Sequence, residues 1–354
     1  MSSRIIVALS GGVDSAVAAW LLVRAGHEVE ALHMTNWTED EDGYCTAAED
    51  WQSARSVGDA LGIPVHRVSF AKEYRERVFA DFLAGYAAGR TPNPDILCNR
   101  EVKFGVCLEY VDRLGGERLA TGHYARIDSH HAGPRLMRAV DAAKDQSYFL
   151  QQMPRAALSR AMFPLGGLTK SEVRALARDA GLPVAQRPDS TGICFIGERP
   201  FREFLSHYLP PSPGPILTLE GETLGEHDGL MYYTVGQRAG LRIGGKREHS
   251  ELPWYVARKI PERNALVVVQ GEEHPALLTA VFSTGPVTWL VEPPVADFAG
   301  EVQIRHRQTP VPTTVSWNAS GATVRPQMPL RAVAPGQYAA FYQGDLCLGG
   351  AVIG

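Results

Sequence analysis

Arg4-Ile5-Ile6-Val7-Ala8-Leu9-Ser10-Gly11-Gly12-Val13-Asp14-Ser15 opens the chain with an apolar run, a pair of glycines and two hydroxyls in close order. Ile5 to Leu9 is a continuous apolar run of the kind buried in a parallel sheet, and Ala16 to Ala25 is rich in helix formers with no breaker. The order predicts a strand, a tight loop and a helix N-terminus. Gly11 and Gly12 permit a turn at positive φ and close backbone approach, and the unpaired amides of the helix start face whatever lies above the loop. Such a place favours an anion, and Ser10 and Ser15 add hydroxyl donors. Asp14 would repel a phosphate unless a divalent cation bridged the two, which argues for a nucleotide with Mg²⁺ and makes Asp14 the candidate metal ligand.

The loop is not followed by Gly-Lys-Ser/Thr, so it is not a Walker A motif, and it is not Gly-x-Gly-x-x-Gly. Ser10 to Ser15 instead resembles the PP-loop of the ATP pyrophosphatases, which grip the β,γ-diphosphate and cleave ATP to AMP and diphosphate. A plain glycine turn in a βα unit would need a buried strand, two glycines, two hydroxyls and an acid to coincide in one register.

The 354 residues are enough for two or three domains, and 45% hydrophobic content supports a sizeable core. A formal charge of −4 demands no nucleic-acid partner, so RNA binding would come from local patches. Met1-Ser2-Ser3-Arg4 leads straight into a short strand, and no stretch approaches the ~20 apolar residues of a spanning helix. A cytoplasmic protein without membrane association is expected. The five cysteines, Cys45, Cys98, Cys107, Cys194 and Cys347, include no Cys-x-x-Cys pair, which argues against a disulfide scaffold or a structural zinc site and towards reactive thiols.

Glu28 to Met34 reads as a second strand, and its end, Met34-Thr35-Asn36-Trp37, falls where a doubly wound sheet places ligands. Met34 could pack on an adenine face or serve the core. Thr46 with Glu49 forms a capping box, followed by apolar residues at helical spacing to Leu61. Ile63 to Phe70 is a third strand, and Tyr74, Val78, Phe79, Phe82 and Tyr86 mark one helix face. In Thr91-Pro92-Asn93-Pro94-Asp95-Ile96-Leu97-Cys98-Asn99, two prolines forbid a helix until Asp95 or later. A stiff loop thus delivers an acid and a thiol to a helix N-terminus, whose dipole would lower the thiol pKa of Cys98. Cys107 lies beside an apolar helix face and reads as core.

Arg118 to Thr121 is a further strand, ending in Gly122-His123-Tyr124, where Gly122 would let a ligand approach the backbone. Lys144-Asp145-Gln146-Ser147-Tyr148 taken alone is a solvated helix start. Thr169 and Glu172 form a second capping box, and Arg187 to Phe195 is a turn-rich approach to Cys194, a thiol that becomes interesting only with Cys98 opposite. Pro210 to Pro215 marks a boundary, after which short Val-, Thr- and aromatic-rich strands replace helices. Arg238, Arg242, Lys246 and Arg247 make a flexible basic loop suited to a phosphate backbone, with Arg305-His306-Arg307 a second basic spot.

Together, Ser10 to Ser15, Met34 to Trp37, Asn93 to Asn99, Thr121 to Tyr124, Lys144 to Leu150 and Asp189 to Gly197 closely resemble the bacterial tRNA-specific 2-thiouridylases. The likeness runs on through Tyr233-Thr234-Val235-Gly236-Gln237-Arg238, Pro253 to Val256 and Pro335-Gly336-Gln337. That family thiolates C2 of the wobble uridine, position 34, at the expense of ATP. The resemblance implies that Ala8, Leu9, Ser10, Gly11, Gly12, Val13, Asp14, Ser15, Met34 and Gly122 contact ATP. It implies that Asn93, Pro94 and Asp95 meet the target base, and that His123, Lys144, Asp145, Gln146, Arg305, His306 and Gln337 meet other parts of the tRNA. Cys98 would be the nucleophile and Cys194 the persulfide carrier loaded by a donor protein, the two closing a transient disulfide, with Asp95 moving a proton at the base. His306 departs from the tyrosine common in the family. A competing scheme has Cys98, Cys194 and a third ligand such as Asp95 hold an iron–sulfur cluster; another is a PP-loop amide ligase acting on a small metabolite.

The expected architecture is an α/β N-terminal domain with a doubly wound parallel sheet over residues 1–199. A small mixed central domain over 200–264 and a C-terminal β-barrel over 265–354 follow.

Overall fold

The computed structural model describes residues 3–37, 47–188, 201–243, 250–294 and 297–354. Cys45, the Thr46 cap, the Asp189 to Gly197 motif with Cys194, and the basic residues Lys246 and Arg247 lie outside the described residues.

Five parallel strands form the first sheet, in the order Val65–Ser69, Glu28–Thr35, Arg4–Ala8, Arg118–Ala120, Ala161–Met162. Ile5 and Val7 pack with Ala19, Leu22 and Val29 on one face, and Ile6 and Ala8 join Leu32, Phe104 and Leu119 on the other. An uninterrupted apolar run is what burial on both faces requires. The chain moves outward from Arg4–Ala8 through the second and third strands, then returns to the opposite side of the first. The strand order therefore reverses beside Arg4–Ala8, the switch point at which doubly wound sheets leave a crevice beyond their carboxyl edge.

The helix Val13–Arg24 follows directly, with Ala16, Val17, Ala18 and Ala19 fully buried. Small side chains let the helix lie close on the strands. The aromatic stripe Tyr74, Phe79, Phe82 and Tyr86 is buried as its spacing predicts, on helical segments Ala71–Tyr74 and Ala80–Ala87 joined by a π-helical turn at Arg75–Phe79.

A four-stranded sheet in the order Trp254–Ile260, Ala265–Gln270, Gly214–Leu217, Thr223–His227 makes the middle unit. Ala265–Gln270, which the expected boundary assigns to the last domain, is hydrogen-bonded within this sheet. The last unit is a nine-stranded, antiparallel sheet built mainly from residues 282–352. It has one foreign member: the hairpin Arg126–His130 and Gly133–Met137, from within the first 199 residues, pairs Met137 with Leu346 at its edge. Leu278–Thr279 and Leu330–Arg331 form a separate two-stranded pair.

The segment Ser147–Gln152 fastens the first unit to the last. Tyr148 Oη donates to the carbonyls of Ile304 and Tyr338 at 3.2 and 3.1 Å, and Gln152 Nε2 donates to Gly350 O at 2.7 Å. Ser147, read from sequence as part of a solvated helix start, is fully buried at the Tyr342 hydroxyl. The polar cluster is a plug seated on the last sheet.

Candidate functional site

Leu9, just past the first strand, donates its amide to Leu32 O at 2.9 Å, and His33 Nδ1 donates to Leu9 O at 2.9 Å. Burial holds the His33 imidazole below its usual pKa, so it acts as a neutral donor under the loop. Gly11 turns at φ +87°, and a Cβ there would come 2.5 Å from Asp50 O, so both conformation and space require glycine. The Ser15 hydroxyl donates to Gly12 O at 3.0 Å and accepts from Ser10 N at 3.2 Å, making it a brace inside the turn. Ser10 Oγ, on the exposed side, accepts from Gly12 N. Gly12 is the N-cap of Val13–Arg24, and among the described residues no side chain caps that helix. The loop thus presents an uncapped helix start at the switch point, a polarity suited to an anion.

Gly122 is held to glycine by the chain itself. A Cβ there would sit 2.8 Å from Ser15 N and 2.9 Å from Asp14 C. The close approach is between the fourth strand's end and the phosphate-type loop itself, so Gly122 sets the walls of the crevice.

Asp14 is held by two side chains from outside the loop. Lys170 Nζ lies 2.7 and 2.8 Å from its two carboxylate oxygens, and Tyr124 Oη donates to Oδ1 at 2.9 Å. The lysine is 14% exposed and the aspartate 32%. A carboxylate neutralised by an ammonium on both oxygens does not fit the expected role of protein ligand to Mg²⁺, and among the described residues no three His, Cys, Asp or Glu side chains gather as a metal site.

Asn93 caps the turn Pro94–Leu97, its Oδ1 accepting from Asp95 N and Ile96 N at 3.2 and 3.4 Å. The chain runs on into a π-helical stretch, Cys98–Val106. Cys98 lies one turn in, buried, with its own amide already bonded to the carbonyls of Pro94 and Asp95. The orphan amides of the helix start lie instead at the Asn93 end, which removes the dipole argument made for this cysteine from sequence. Burial pushes the Asp95 carboxyl above its ordinary range, and Lys103 draws it back. Lys103 acts on His123 and Cys107 as well. His123 is wedged between Phe104 and Phe163, at 6.1 and 5.9 Å, with Nδ1 2.7 Å from Thr121 Oγ1. Desolvation holds it well below its ordinary pKa, so it offers hydrogen bonds and no charge. Cys107 and Cys347 are buried thiols pushed up to about 12, which fits the core reading of Cys107.

Of the ten buried side-chain polar atoms without a hydrogen-bond partner among the described residues, three lie here: Thr35 Oγ1 and Asn36 Oδ1 at the carboxyl end of the second strand, beside half-buried Met34, and Asn99 Oδ1 next to Cys98. Unmade hydrogen bonds of this kind cost about 1–3 kcal/mol each.

Of the residues expected to meet tRNA, Asp145 is consumed internally. Its carboxylate accepts from Ala139 N, Ser147 N and Ser147 Oγ at 2.8, 3.4 and 2.7 Å. Gln146 exchanges two bonds with the Tyr124 backbone, 2.9 Å through Oε1 and 2.8 Å through its amide, so it leads by way of Tyr124 Oη to Asp14. Lys144 and Gln337 are half-buried. Arg305 donates to Ala332 O at 2.8 Å and Val235 O at 3.3 Å, and His306 donates through Nε2 to Asp145 O at 3.0 Å while its ring meets Phe149 at 4.6 Å. These two residues join the units to one another. Arg238 and Arg242 are exposed.

From the sequence, Lys170, Tyr124, His33 and Arg187 carry no assigned role, although Tyr124 and Arg187 stand inside the quoted motifs. Arg187 donates to Gly11 O at 2.9 Å and pairs with Asp50, clamping the loop from outside. Lys170 had one legible signal: it is the first residue after the Thr169 cap, and a capped turn holds its side chain in place.

The parallel sheet with its glycine loop and the two β units define a HUP-domain protein with barrel extensions. Residues 3–198 match a family model described as the tRNA methyl transferase HUP domain, residues 202–270 its PRC-barrel domain, and residues 280–353 an aminomethyltransferase beta-barrel domain. A tRNA-specific 2-thiouridylase MnmA of Cupriavidus necator is 51% identical, over 99% of this chain and 98% of that one. One from Chromohalobacter salexigens is 53% identical, over 99% and 92%. The chain belongs to the tRNA-specific 2-thiouridylase (MnmA) family. Among solved structures, the U34-tRNA thiolase NcsA of Methanococcus maripaludis with its [4Fe-4S] cluster overlaps 58% of this chain and 63% of its own at TM-score 0.37 and 19% identity.

Proposed function

We propose that this chain is a tRNA-uridine 2-sulfurtransferase that uses ATP to replace O2 of the wobble uridine with sulfur. The observation that carries the reading is the uncapped start of Val13–Arg24, set at the switch point with Gly11 and Gly122 giving backbone-to-backbone contact around it. Family membership over the full chain supports the same substrate.

Uracil O2 is a poor leaving group until it is adenylated. In the proposed first step O2 attacks the α-phosphorus of ATP, the bond to the bridging oxygen breaks, and diphosphate leaves into the Ser10–Ser15 loop, where amides and the helix dipole stabilise its charge. The terminal sulfur of a Cys194 persulfide, loaded by a donor protein, then attacks C2, and AMP departs with the former O2. Cys98 attacks the Cys194 sulfur, releasing the thiolated base and closing a Cys98–Cys194 disulfide that external thiol reduces. Asp95, its pKa raised by burial, moves the proton at the base. Asn93 and Pro94 would border that base, and the unpartnered acceptor of Asn99 suits a donor on a ligand. Mg²⁺ would enter with the ATP phosphates. A tRNA substrate implies the cytoplasm, and among the described residues no helix is long and apolar enough to cross a membrane.

The test is mass spectrometry of nucleosides from tRNA incubated with the protein, ATP, Mg²⁺ and a persulfide source. ATP-dependent 2-thiouridine at position 34, lost in Cys98→Ser and Cys194→Ser, is the expected result. Thiolation that persists in both variants would remove the two-cysteine route, and diphosphate release with no thiolated nucleoside under any sulfur supply would point to another acceptor.

A further inference from the structure

Two motifs have no part in the chemistry above: Thr234 to Gln237 in the middle unit and Pro335-Gly336-Gln337 in the last. They meet at a single residue of the first unit. Thr91, 8% exposed, donates its amide to Pro335 O at 2.9 Å and its hydroxyl to Thr234 Oγ1 at 3.3 Å. Both partners are themselves held. Thr234 N donates to Gln237 Oε1 at 2.9 Å, and Val256 N donates to Gln237 O at 2.9 Å, which ties that turn to the middle sheet. Gly336 turns at φ +90°, and a Cβ there would lie 2.9 Å from both Arg90 Cβ and Thr91 N. From the far side, Arg305 bonds Val235 O in the first turn and Ala332 O, three residues before Pro335.

Thr91 is also the first residue of the stretch that ends in Asp95 and Cys98. Pro92 and Pro94 fix two of the next three φ angles and Asn93 caps the turn, so a displacement at Thr91 is carried forward with little slack. We propose that Thr91 is a positioning residue through which the two β units, once they engage tRNA, set the placement of the Asn93–Cys98 loop. The proposal rests on the reading of Asp95 and Cys98 above. An RNA seated across Gln337, Arg305 and the Arg238 loop would load both turns, and both loads converge on one backbone amide and one hydroxyl.

The experiment measures single-turnover thiolation and tRNA affinity of the full chain carrying Thr91→Val, Thr91→Ser, Thr234→Val and the double variant Thr91→Val/Thr234→Val. Loss of one ordinary hydrogen bond corresponds to about two- to ten-fold. The maximal rate in Thr91→Val should fall by that factor, with tRNA Kd and KM within two-fold. Thr91→Ser should restore it. Thr234→Val should reproduce the defect from the other side, and the double variant should be no worse than either single one, since all three lack the same bond. Unchanged rates in Thr91→Val and Thr234→Val overturn the proposal, as does a defect confined to KM, which would make the junction part of RNA docking. Multiplying effects in the double variant would also overturn it. Wild-type chain and Cys98→Ser run alongside: wild-type thiolation that Cys98→Ser abolishes, with Thr91→Val at wild-type rate, rejects the junction alone. No 2-thiouridine from wild type, or wild-type rates in Cys98→Ser, rejects the reading beneath it.

Discussion

Replacing Lys170 by methionine removes the ammonium from both oxygens of Asp14 while keeping most of the aliphatic stem. Two unit charges 4 Å apart attract by about 4 kcal/mol at an effective dielectric near 20. Withdrawing the lysine from water offsets much of that gain, so a net coupling of about 1–2 kcal/mol is expected, above the range of about 0–1 for an exposed pair. The limited exposure of the ammonium, 14%, is what keeps solvent and salt from screening it further. A chain of several sheets does not unfold in one step, so a local readout is needed. Hydrogen exchange of a peptide covering residues 9–24 reports opening of the loop and its helix. Lys170→Met should speed that exchange about 5- to 30-fold, the factor matching the coupling. Asp14→Asn should do the same, and Asp14→Asn/Lys170→Met should add little to either. Exchange altered by less than two-fold in Lys170→Met, or additive effects in the pair, would refute the view that this contact braces the loop.

Gly122→Ala would drive a methyl to 2.8 Å from Ser15 N; the backbone must yield, and ATP binding measured by calorimetry should weaken at least ten-fold while the far-ultraviolet spectrum stays unchanged. His33 and His123 are held neutral in the folded chain, whereas the unfolded chain takes up protons near pH 6.5; the native state then binds fewer protons, and stability falls as pH drops below that value, by up to about 1.4 kcal/mol per pH unit for each histidine. His123→Phe, which keeps a ring between Phe104 and Phe163, should flatten the pH dependence of hydrogen-exchange protection in a peptide covering residues 118–124 between pH 6.5 and 5, and an unchanged slope would refute the assignment. Iodoacetamide at pH 8 should leave Cys107 and Cys347 unmodified in the native chain and label them after denaturation, because thiols pushed up to about 12 hold about one thiolate in ten thousand at that pH.

What the sequence disclosed was whatever depends on local pattern. The apolar run Ile5–Leu9, the positive φ of Gly11 and the capping box at Thr169 follow local pattern, and each stands as expected, whereas Gly12 keeps an ordinary φ of −88°. Features hidden in the sequence depend on partners far along the chain. The Lys170–Asp14 contact spans 156 residues, Arg187–Gly11 spans 176, and Tyr148 reaches carbonyls 156 and 190 residues away. Nothing in Lys144–Leu150 itself says that its polar groups will be buried, because the surface that buries them is made by strands at the other end of the chain. Gly122 was legible as a place of close approach, but which backbone approaches it was not. Cys98 was misplaced by one turn because two prolines announce where a helix can begin and say nothing of how far in the thiol will fall.

The hairpin at Arg126–Met137 has a consequence for how the chain comes into being. Its second strand, Gly133–Met137, is spelled early, yet the strand it pairs with, Leu346–Val352, is more than two hundred positions downstream. During synthesis the nascent first unit must wait with an open β-edge while the middle and last units emerge, an interval in which such an edge invites intermolecular pairing. The three stretches that match separate family models are therefore not interchangeable modules. A graft cut at residue 199 would strip the last sheet of its terminal hairpin and leave the donor half with an unpaired ribbon, so recombination among relatives should succeed only where hairpin and final strand travel together.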